Sequence, residues 1–313
     1  MSYNRVQIND IDFLLQMTKR DPPNRKIKNK LVWKHENALE TKGITAGVVR
    51  SFQKIICQHY QEQGRTFPWR KTRNPYHILI SEIMLQQTQV DRVVGKYQKF
   101  VTQFPDFSTL AASPLRKILT VWQGLGYNRR ALALKKIAQI VVTEYNNKLP
   151  RNLDELVNLP GIGKTTASEI LAFAFNEPTV FIETNIRSVF IHFFFRNKDD
   201  VKDGEILDLV EKTLETSNPR KWYYALMDYG TTLKKMYKNP SRKSFHYRTQ
   251  SPFNGSNRQI RGMILKTLTR ENHITEKALI QNNPMSPERI KSNLITLEKE
   301  GFIIRKGKRL TIA

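Results

Sequence analysis

The stretch LPGIGKTTA at 159–167 lies between two runs with helical spacing, and that arrangement excludes most folds built around a phosphate loop. Upstream, Leu153, Leu156, Val157 and Leu159 follow the period of a helix, and TASEILAFAF continues it downstream. Gly163-Lys164-Thr165 matches the tail of the nucleotide signature G-x-x-x-x-G-K-[ST]. Position 158 is Asn158, however, so the first glycine is missing. A helix–turn–helix is therefore favoured over a strand–loop–helix, and nucleotide triphosphate binding is disfavoured. In such a turn, Gly161 and Gly163 would let backbone N–H groups approach a phosphate closely, at a helix N-terminus whose dipole points outwards. A contact of this kind grips DNA backbone without reading sequence. On these residues alone, a purely structural turn competes equally.

The rest of the chain up to about residue 250 repeats the helical theme. Val49, Phe52, Ile56 and Tyr60 form one stripe, stopped by Gly64. NPYHILISEIML is apolar nearly all round, as a buried central helix should be. LRKILTVWQGLG, RRALALKKIAQIVVTEY, TNIRSVFIHFFF, DGEILDLVEKTLE and WYYALMDYGTTLKKM read as further helices. No alternating strand pattern interrupts them, so the body is all-α. Residues 1–44 are polar, carry the basic run RKIKNK at 25–30, and read as an extension.

Beyond the Pro/Ser/Gly-rich stretch near 239–257 the pattern changes. RQIRGMILKTLTR, TEKALIQ and SPERIKSNLITLEKE predict three helices, the last capped by Ser286 with Pro287 at its first position. GFIIRKGKRLTIA predicts two short strands around Lys306-Gly307. Three helices and a hairpin over 251–313 make a small winged-helix module of α+β type. Its basic tip, Arg305, Lys306, Lys308 and Arg309, favours nucleic acid; a protein-docking module or a cap on the body are the competing readings.

Charge narrows the partners. The chain has 52 Lys+Arg against 28 Asp+Glu, a formal net charge of +24. Between Tyr229 and Arg270 ten basic residues occur without one carboxylate. Such an excess favours polyanions, DNA or RNA first and an acidic membrane surface second. No apolar run approaches the length of a membrane span. The N-terminus lacks the apolar core of a secretory signal, and Asp10 and Asp12 argue against a transit peptide. A cytoplasmic, nucleoid-associated monomer is expected if the source is prokaryotic. The single cysteine, Cys57, excludes an internal disulfide and any multi-cysteine metal site.

LPGIGKTTA followed by FIETNIRSV resembles the helix-hairpin-helix (HhH-GPD) DNA glycosylases. FPWR, SEIMLQQTQV and WQGLGYNRRALAL narrow the resemblance to the A/G-specific adenine glycosylases, the MutY-like branch, over roughly residues 45–235. It implies a two-lobed body: a helical-barrel lobe at 72–185 with the hairpin, and a second lobe from 45–71 plus 186–250. It also implies extrusion of a nucleotide from mispaired or oxidised double-stranded DNA and cleavage of its N-glycosidic bond. Glu82 is then the acid that protonates adenine, kept protonated by its apolar helix. The family has Asp at the position of Glu183. Glutamate keeps the charge but adds a methylene, so its oxygens must sit further out or fold back. Glu183 is still expected to stabilise the cationic sugar and to hold the nucleophilic water, with Asn185 bonded in the same site.

Thr165 occupies the position of the lysine in relatives that also nick the strand, so base removal without lyase activity is implied. Lys164 is expected to contact phosphate. Gln87 and Tyr127 match residues that wedge into the base stack, within a DNA contact set that includes Gln86 and Thr88. Arg70 and Arg129 are candidate phosphate contacts. Two departures stand out. Relatives commonly carry C-x6-C-x2-C-x5-C, which binds an iron–sulfur cluster. Here Lys234, Ser241, Ser244 and about Gln250 align with those cysteines, so no cluster and no other metal or cofactor is expected. A winged helix also follows where many relatives recognise 8-oxoguanine opposite the adenine. The leading reading is an adenine glycosylase acting opposite 8-oxoguanine or guanine. A mismatch thymine/uracil glycosylase on the same scaffold and a non-catalytic DNA-structure binder remain open.

Overall fold

The computed structural model of the chain describes residues 44–271, 273–282 and 284–313. The extension read at 1–44, with its basic run, lies outside the described residues except for its last position. Two compact units emerge. One comprises residues up to Thr66 with Leu171–Arg248; the other comprises Phe67–Ile170 with Thr249–Ala313. The boundaries therefore fall at 66/67 and 170/171, where the sequence suggests 71/72 and 185/186. The second boundary lies inside a helix, Lys164–Phe175, which no composition shift could mark. As a result Glu183 and Asn185 belong with the N-terminal helix, and the C-terminal module groups with the hairpin.

In the first unit, helix α1 (Ala46–Gln63) starts at Thr45, whose hydroxyl accepts from Val48 N–H. Its core contact is Phe52, which meets Phe190, Phe193, Phe194 and Trp222 edge-on at centroid distances of 5.1–5.8 Å. After α1, Arg65 clamps the buried Asp228 through its backbone N–H and its Nε, both at 2.7 Å. The charge of Asp228 is thereby paired on two sides, as burial demands.

The second unit is built round α2 (Pro75–Leu85), capped by Asn74 with Pro75 in the first turn. Ile78, Leu79, Ile80, Ile83 and Met84 are all at most 1% exposed, so this helix is enclosed on every side as its composition predicts. Around it stand α3 (Val90–Gln103), α4 (Phe107–Ala112), α5 (Leu115–Trp122) and α6 (Arg129–Glu144). Helices α7 (Leu153–Asn158) and α8 (Lys164–Phe175) flank the glycine turn. The first unit is completed by α9 (Thr184–Phe194), α10 (Asp203–Thr213) and α11 (Pro219–Met236).

The C-terminal part of the second unit runs α12 (Asn257–Arg270), β1 (Ile274–Thr275), α13 (Glu276–Gln281), α14 (Pro287–Lys299), β2 (Ile303–Lys306) and β3 (Arg309–Ile312). Its sheet has the order β1-β3-β2, all antiparallel, with Lys306 opposite Arg309 across the hairpin. The third strand, β1, has two residues and no alternation to read, so sequence reasoning misses it. Arg116 donates to Thr269 O at 2.9 and 3.1 Å and Gln123 donates to Thr269 Oγ1 at 2.7 Å, joining α12 to α5 and the residue after it. Among the described residues, no helix is long and apolar enough to cross a membrane.

Candidate active site and DNA interface

Glu82 sits in the middle of α2 and is 6% exposed. Its Oε1 lies 3.0 Å from Ser81 Oγ, which is also 2.8 Å from Ile78 O. Tyr97 on α3 is close enough to feel it: burial first and Glu82 second push the Tyr97 phenol up to about 12. Glu82 is thus a carboxyl among hydroxyls and apolar side chains, with the end of its helix opening into the QQT loop.

That loop is shaped from inside. Gln86 Nε2 donates to Thr166 Oγ1 at 3.1 Å and to Gly161 O at 3.4 Å, tying the end of α2 to the glycine turn. Thr88 Oγ1 accepts from Arg130 Nη2 at 2.9 Å. The sequence groups Gln86, Gln87 and Thr88 as DNA contacts; here Gln86 and Thr88 spend their polar groups within the protein. Gln87 is left exposed at φ 52°, a conformation uncommon outside glycine.

Sequence reasoning marks Arg129 and passes over its neighbour Arg130. Arg130 is 8% exposed and donates through Nη1 to the carbonyls of Ile83, Met84 and Gln86 at 2.6–2.9 Å. Burial pulls its pKa down to about 10. A signal exists: Arg130 lies four residues before Leu134, on the buried stripe of Leu134, Ile137, Ala138 and Val141. A cation on an apolar stripe is a position to examine. Arg129, 73% exposed at its side chain, pairs with Glu300, so a phosphate would have to compete with that carboxylate. Arg70 lies over the Phe67 ring at 5.1 Å.

At the turn, Gly161 takes φ 78°, and a Cβ there would meet Ala133 Cβ at 3.1 Å. Gly163 differs: a Cβ would meet nothing within 4 Å. Among the described residues no side chain requires glycine at 163, which suits a position approached from outside. Gly163, Lys164 and Thr165 are all exposed at the start of α8.

Glu183 is the N-cap of α9. Its side chain has folded back, with Oε1 accepting from the N–H groups of Asn185 at 2.7 Å and Ile186 at 2.8 Å. Asn185 Nδ2 donates to Oε2 at 3.1 Å, and Lys234 Nζ donates to Asn185 Oδ1 at 2.9 Å. The longer side chain thus reaches the helix N-terminus that aspartate normally caps. Burial pushes the Glu183 carboxyl up, against the two N–H groups and the charges of Lys234 and Arg187, which pull it down. Arg187 is itself held bidentately by Asp203 at 2.7 and 2.9 Å. The approach of α9 to α11 depends on Gly230, where a Cβ would stand 2.3 Å from Asn185 O.

The positions where relatives carry cluster cysteines do not fit an iron–sulfur group. Lys234 serves Asn185, and Ser241 Oγ lies 2.6 Å from Ser188 Oγ and 3.0 Å from Thr184 O. Ser244 bridges to Val201. Hydroxyls and an ammonium cannot replace the thiolates such a cluster needs. Among the described residues, no group of three or more His, Cys, Asp or Glu could hold a metal.

Residues 80–215 match the HhH-GPD superfamily base excision DNA repair protein family. An adenine DNA glycosylase of Buchnera aphidicola subsp. Baizongia pistaciae is 41% identical over 187 residues, 58% of this chain and 52% of that protein. A thymine/uracil-DNA glycosylase of Methanothermobacter thermautotrophicus is 29% identical over 185 residues, covering 58% of this chain and 84% of its own length. Among solved structures, that of a thermostable thymine-DNA glycosylase aligns with TM-score 0.54 and 27% identity, over 62% of this chain and 91% of that one. The chain spans about half the length of the adenine glycosylases it matches first. Residues 80–215 are thus similar to the HhH-GPD base excision DNA repair superfamily, and adenine DNA glycosylases are similar to 55–58% of this chain.

Proposed function

We propose that this protein removes adenine mispaired with 8-oxoguanine or guanine in double-stranded DNA, by flipping the nucleotide and hydrolysing its N-glycosidic bond without nicking the strand. The observation that carries the reading is Glu82, buried within SEIMLQQTQV and inside the matched residues 80–215. Ser81 Oγ donates to Glu82 Oε1 at 3.0 Å, and an apolar setting favours a neutral carboxyl. Such a carboxyl is ready to protonate the departing adenine. As the bond from C1′ to the base breaks, its electron pair leaves with the adenine and the sugar becomes oxocarbenium-like.

Glu183 supplies negative charge for that cation. Its hydrogen bonds to Asn185 and Ile186 occupy three of the roughly four lone-pair positions of a carboxylate, leaving one on Oε2. That position suits the nucleophilic water, whose proton passes to Glu183 as its oxygen bonds to C1′. Thr165 offers no amine for a Schiff base, hence hydrolysis alone. Phosphates are held at Gly161, Gly163 and Lys164, while Gln87 and Tyr127 enter the stack. The protein works as a monomer without an iron–sulfur cluster; iron in the purified protein would refute the latter. We read the C-terminal part as a winged-helix module with Lys306, Lys308 and Arg309 towards DNA, Arg305 being paired with Glu276 and Glu298.

The test is single-turnover base release from duplexes carrying A opposite 8-oxoguanine, A opposite G, T opposite G and U opposite G, with alkali added afterwards. Adenine release from the first two, without a nick before alkali, is expected. A second reading, thymine or uracil release, is favoured by the fuller coverage of the thymine glycosylases; T or U release in the same assay would establish it. No release from any duplex would refute both.

A further inference from the structure

We propose that Arg258, on the first turn of the C-terminal module, is a positioning residue that fixes Tyr127 for insertion into the DNA stack, so that the module takes part in probing the base opposite the target. The proposal rests on the reading that Tyr127 inserts there.

Tyr127 holds φ 47°, between Gly126 at φ 74° and the buried Arg130. Few bulky residues adopt that conformation unless the surroundings over-determine it. Its ring is approached by two guanidinium groups, Arg130 at 5.4 Å and Arg258 at 5.3 Å from the centroid. Its hydroxyl accepts from Arg258 Nη1 at 2.7 Å and from Gln250 Nε2. The ring is only half-buried. A tyrosine that merely filled space would need no charged partner at its tip, and phenylalanine would serve.

Both ends of this clasp are anchored. Arg258 Nη2 donates to Ser251 O at 2.5 Å, and the helix that carries it is capped by Ser256. The far end of α12 is held by Arg116 and Gln123 through Thr269. Glu300, at the end of α14, accepts from both Arg129 and Arg261. On the other side, Arg130 carries the restraint from Tyr127 to the QQT loop, where Gln87 stands exposed. The two expected wedge residues are thus joined through Arg130, and Arg258 ties them to the C-terminal module. Two of the five N–H donors of Arg258 go to a hydroxyl and a carbonyl within the chain, which orients its guanidinium at the Tyr127 tip.

The experiment uses the full chain with Arg258→Met, which keeps length but removes charge and donors, Arg258→Lys, Tyr127→Phe, Tyr127→Ala and the Met/Phe double variant. Three quantities are read: single-turnover release of A opposite 8-oxoguanine and opposite G, fluorescence of 2-aminopurine placed at the target, and the salt dependence of affinity. Arg258→Met and Tyr127→Phe should each slow release about tenfold, the order expected for one hydrogen bond to a charged group. They should also narrow the ratio between the two substrates. The double variant should be no slower than either single, because both remove the same interaction. The slope of log affinity against log salt should stay unchanged, and Arg258→Lys should fall between wild type and Met.

Wild-type rates and ratio in both Arg258 variants, with extrusion abolished in Tyr127→Ala, would overturn the proposal and leave the insertion reading intact. Unchanged extrusion and release in Tyr127→Ala would remove the insertion reading and the proposal together. Additive effects with a slope shallower by about 0.9 would make Arg258 a phosphate contact and refute the positioning role.

Discussion

Gly230→Ala tests whether the close approach of α11 to α9 sets the catalytic geometry. A methyl group at 230 would stand 2.3 Å from Asn185 O and 2.8 Å from its carbonyl carbon and Cβ. Widening that gap to an ordinary 3.4 Å contact separates the backbones by about 1.1 Å. The atoms that must move carry Glu183 through its bonds to Asn185 N–H and Nδ2. Misplacing a reacting group by about 1 Å costs on the order of a hundredfold in rate. Stability should change less. Overpacking costs roughly 1–3 kcal/mol, while exchanging a mid-helix glycine for alanine returns about 1 kcal/mol. Release of A opposite 8-oxoguanine in single turnover, beside a thermal melt, separates the two effects. Gly262→Ala is the control, since a Cβ on that α12 glycine meets nothing within 4 Å. It should stabilise the fold by about 0.4–1 kcal/mol and leave release untouched. A folded Gly230→Ala protein releasing adenine at the wild-type rate would refute the reasoning, because the helix approach would then not place Glu183.

Glu183→Gln should bind substrate DNA and lose turnover; full activity would remove Glu183 from the chemistry. The same variant carries a pH signature. Burial raises the Glu183 carboxyl, so the folded chain keeps that proton to higher pH than the unfolded chain does. Its stabilising effect is complete below the ordinary carboxylate range and is lost as pH rises through the folded value. Melts across that window should show wild type losing stability relative to Glu183→Gln, and parallel curves would count against the assignment. At the hairpin tip, Lys306→Glu with Lys308→Glu should weaken DNA binding and flatten its salt slope by about 0.9 for each phosphate those lysines neutralise; an unchanged slope would take the tip out of the interface.

Much of this arrangement is legible before any coordinates. The all-round apolar character of ILISEIML predicts a central helix, and Ile78 to Met84 are enclosed accordingly. Ser286 and Pro287 mark the start of α14, and the Lys306-Gly307 pair marks its hairpin. What stays hidden has physical reasons. Adjacent arginines 129 and 130 are about 100° apart on a helix, and only the phase set by Leu134 and Ile137 shows which turns inward. The fold-back of Glu183 depends on one methylene and on backbone donors that exist only once α9 has formed. The Arg258 clasp joins residues 131 positions apart, beyond any local pattern. The unit boundary at 170/171 lies within α8, where helical periodicity runs straight through.

The two carboxyl groups differ in the donors that the elements carrying them supply. Glu82 lies within α2, buried, with the Ser81 hydroxyl 3.0 Å from its Oε1. Glu183 lies at a helix start, where unpaired N–H groups converge, and it takes two of them together with the Asn185 amide. Lys234 adds positive charge through Asn185. These donors pull towards the ionised form, while burial, the larger effect, holds the carboxyl above its ordinary range. A helix start thus supplies Glu183 with backbone donors. The same logic accounts for Lys234. In this chain α11 carries an ammonium one helical turn beyond Gly230, the residue that admits Asn185. Closeness at Gly230 and the Lys234 bond to Asn185 Oδ1 therefore act on one residue, which in turn donates to Glu183.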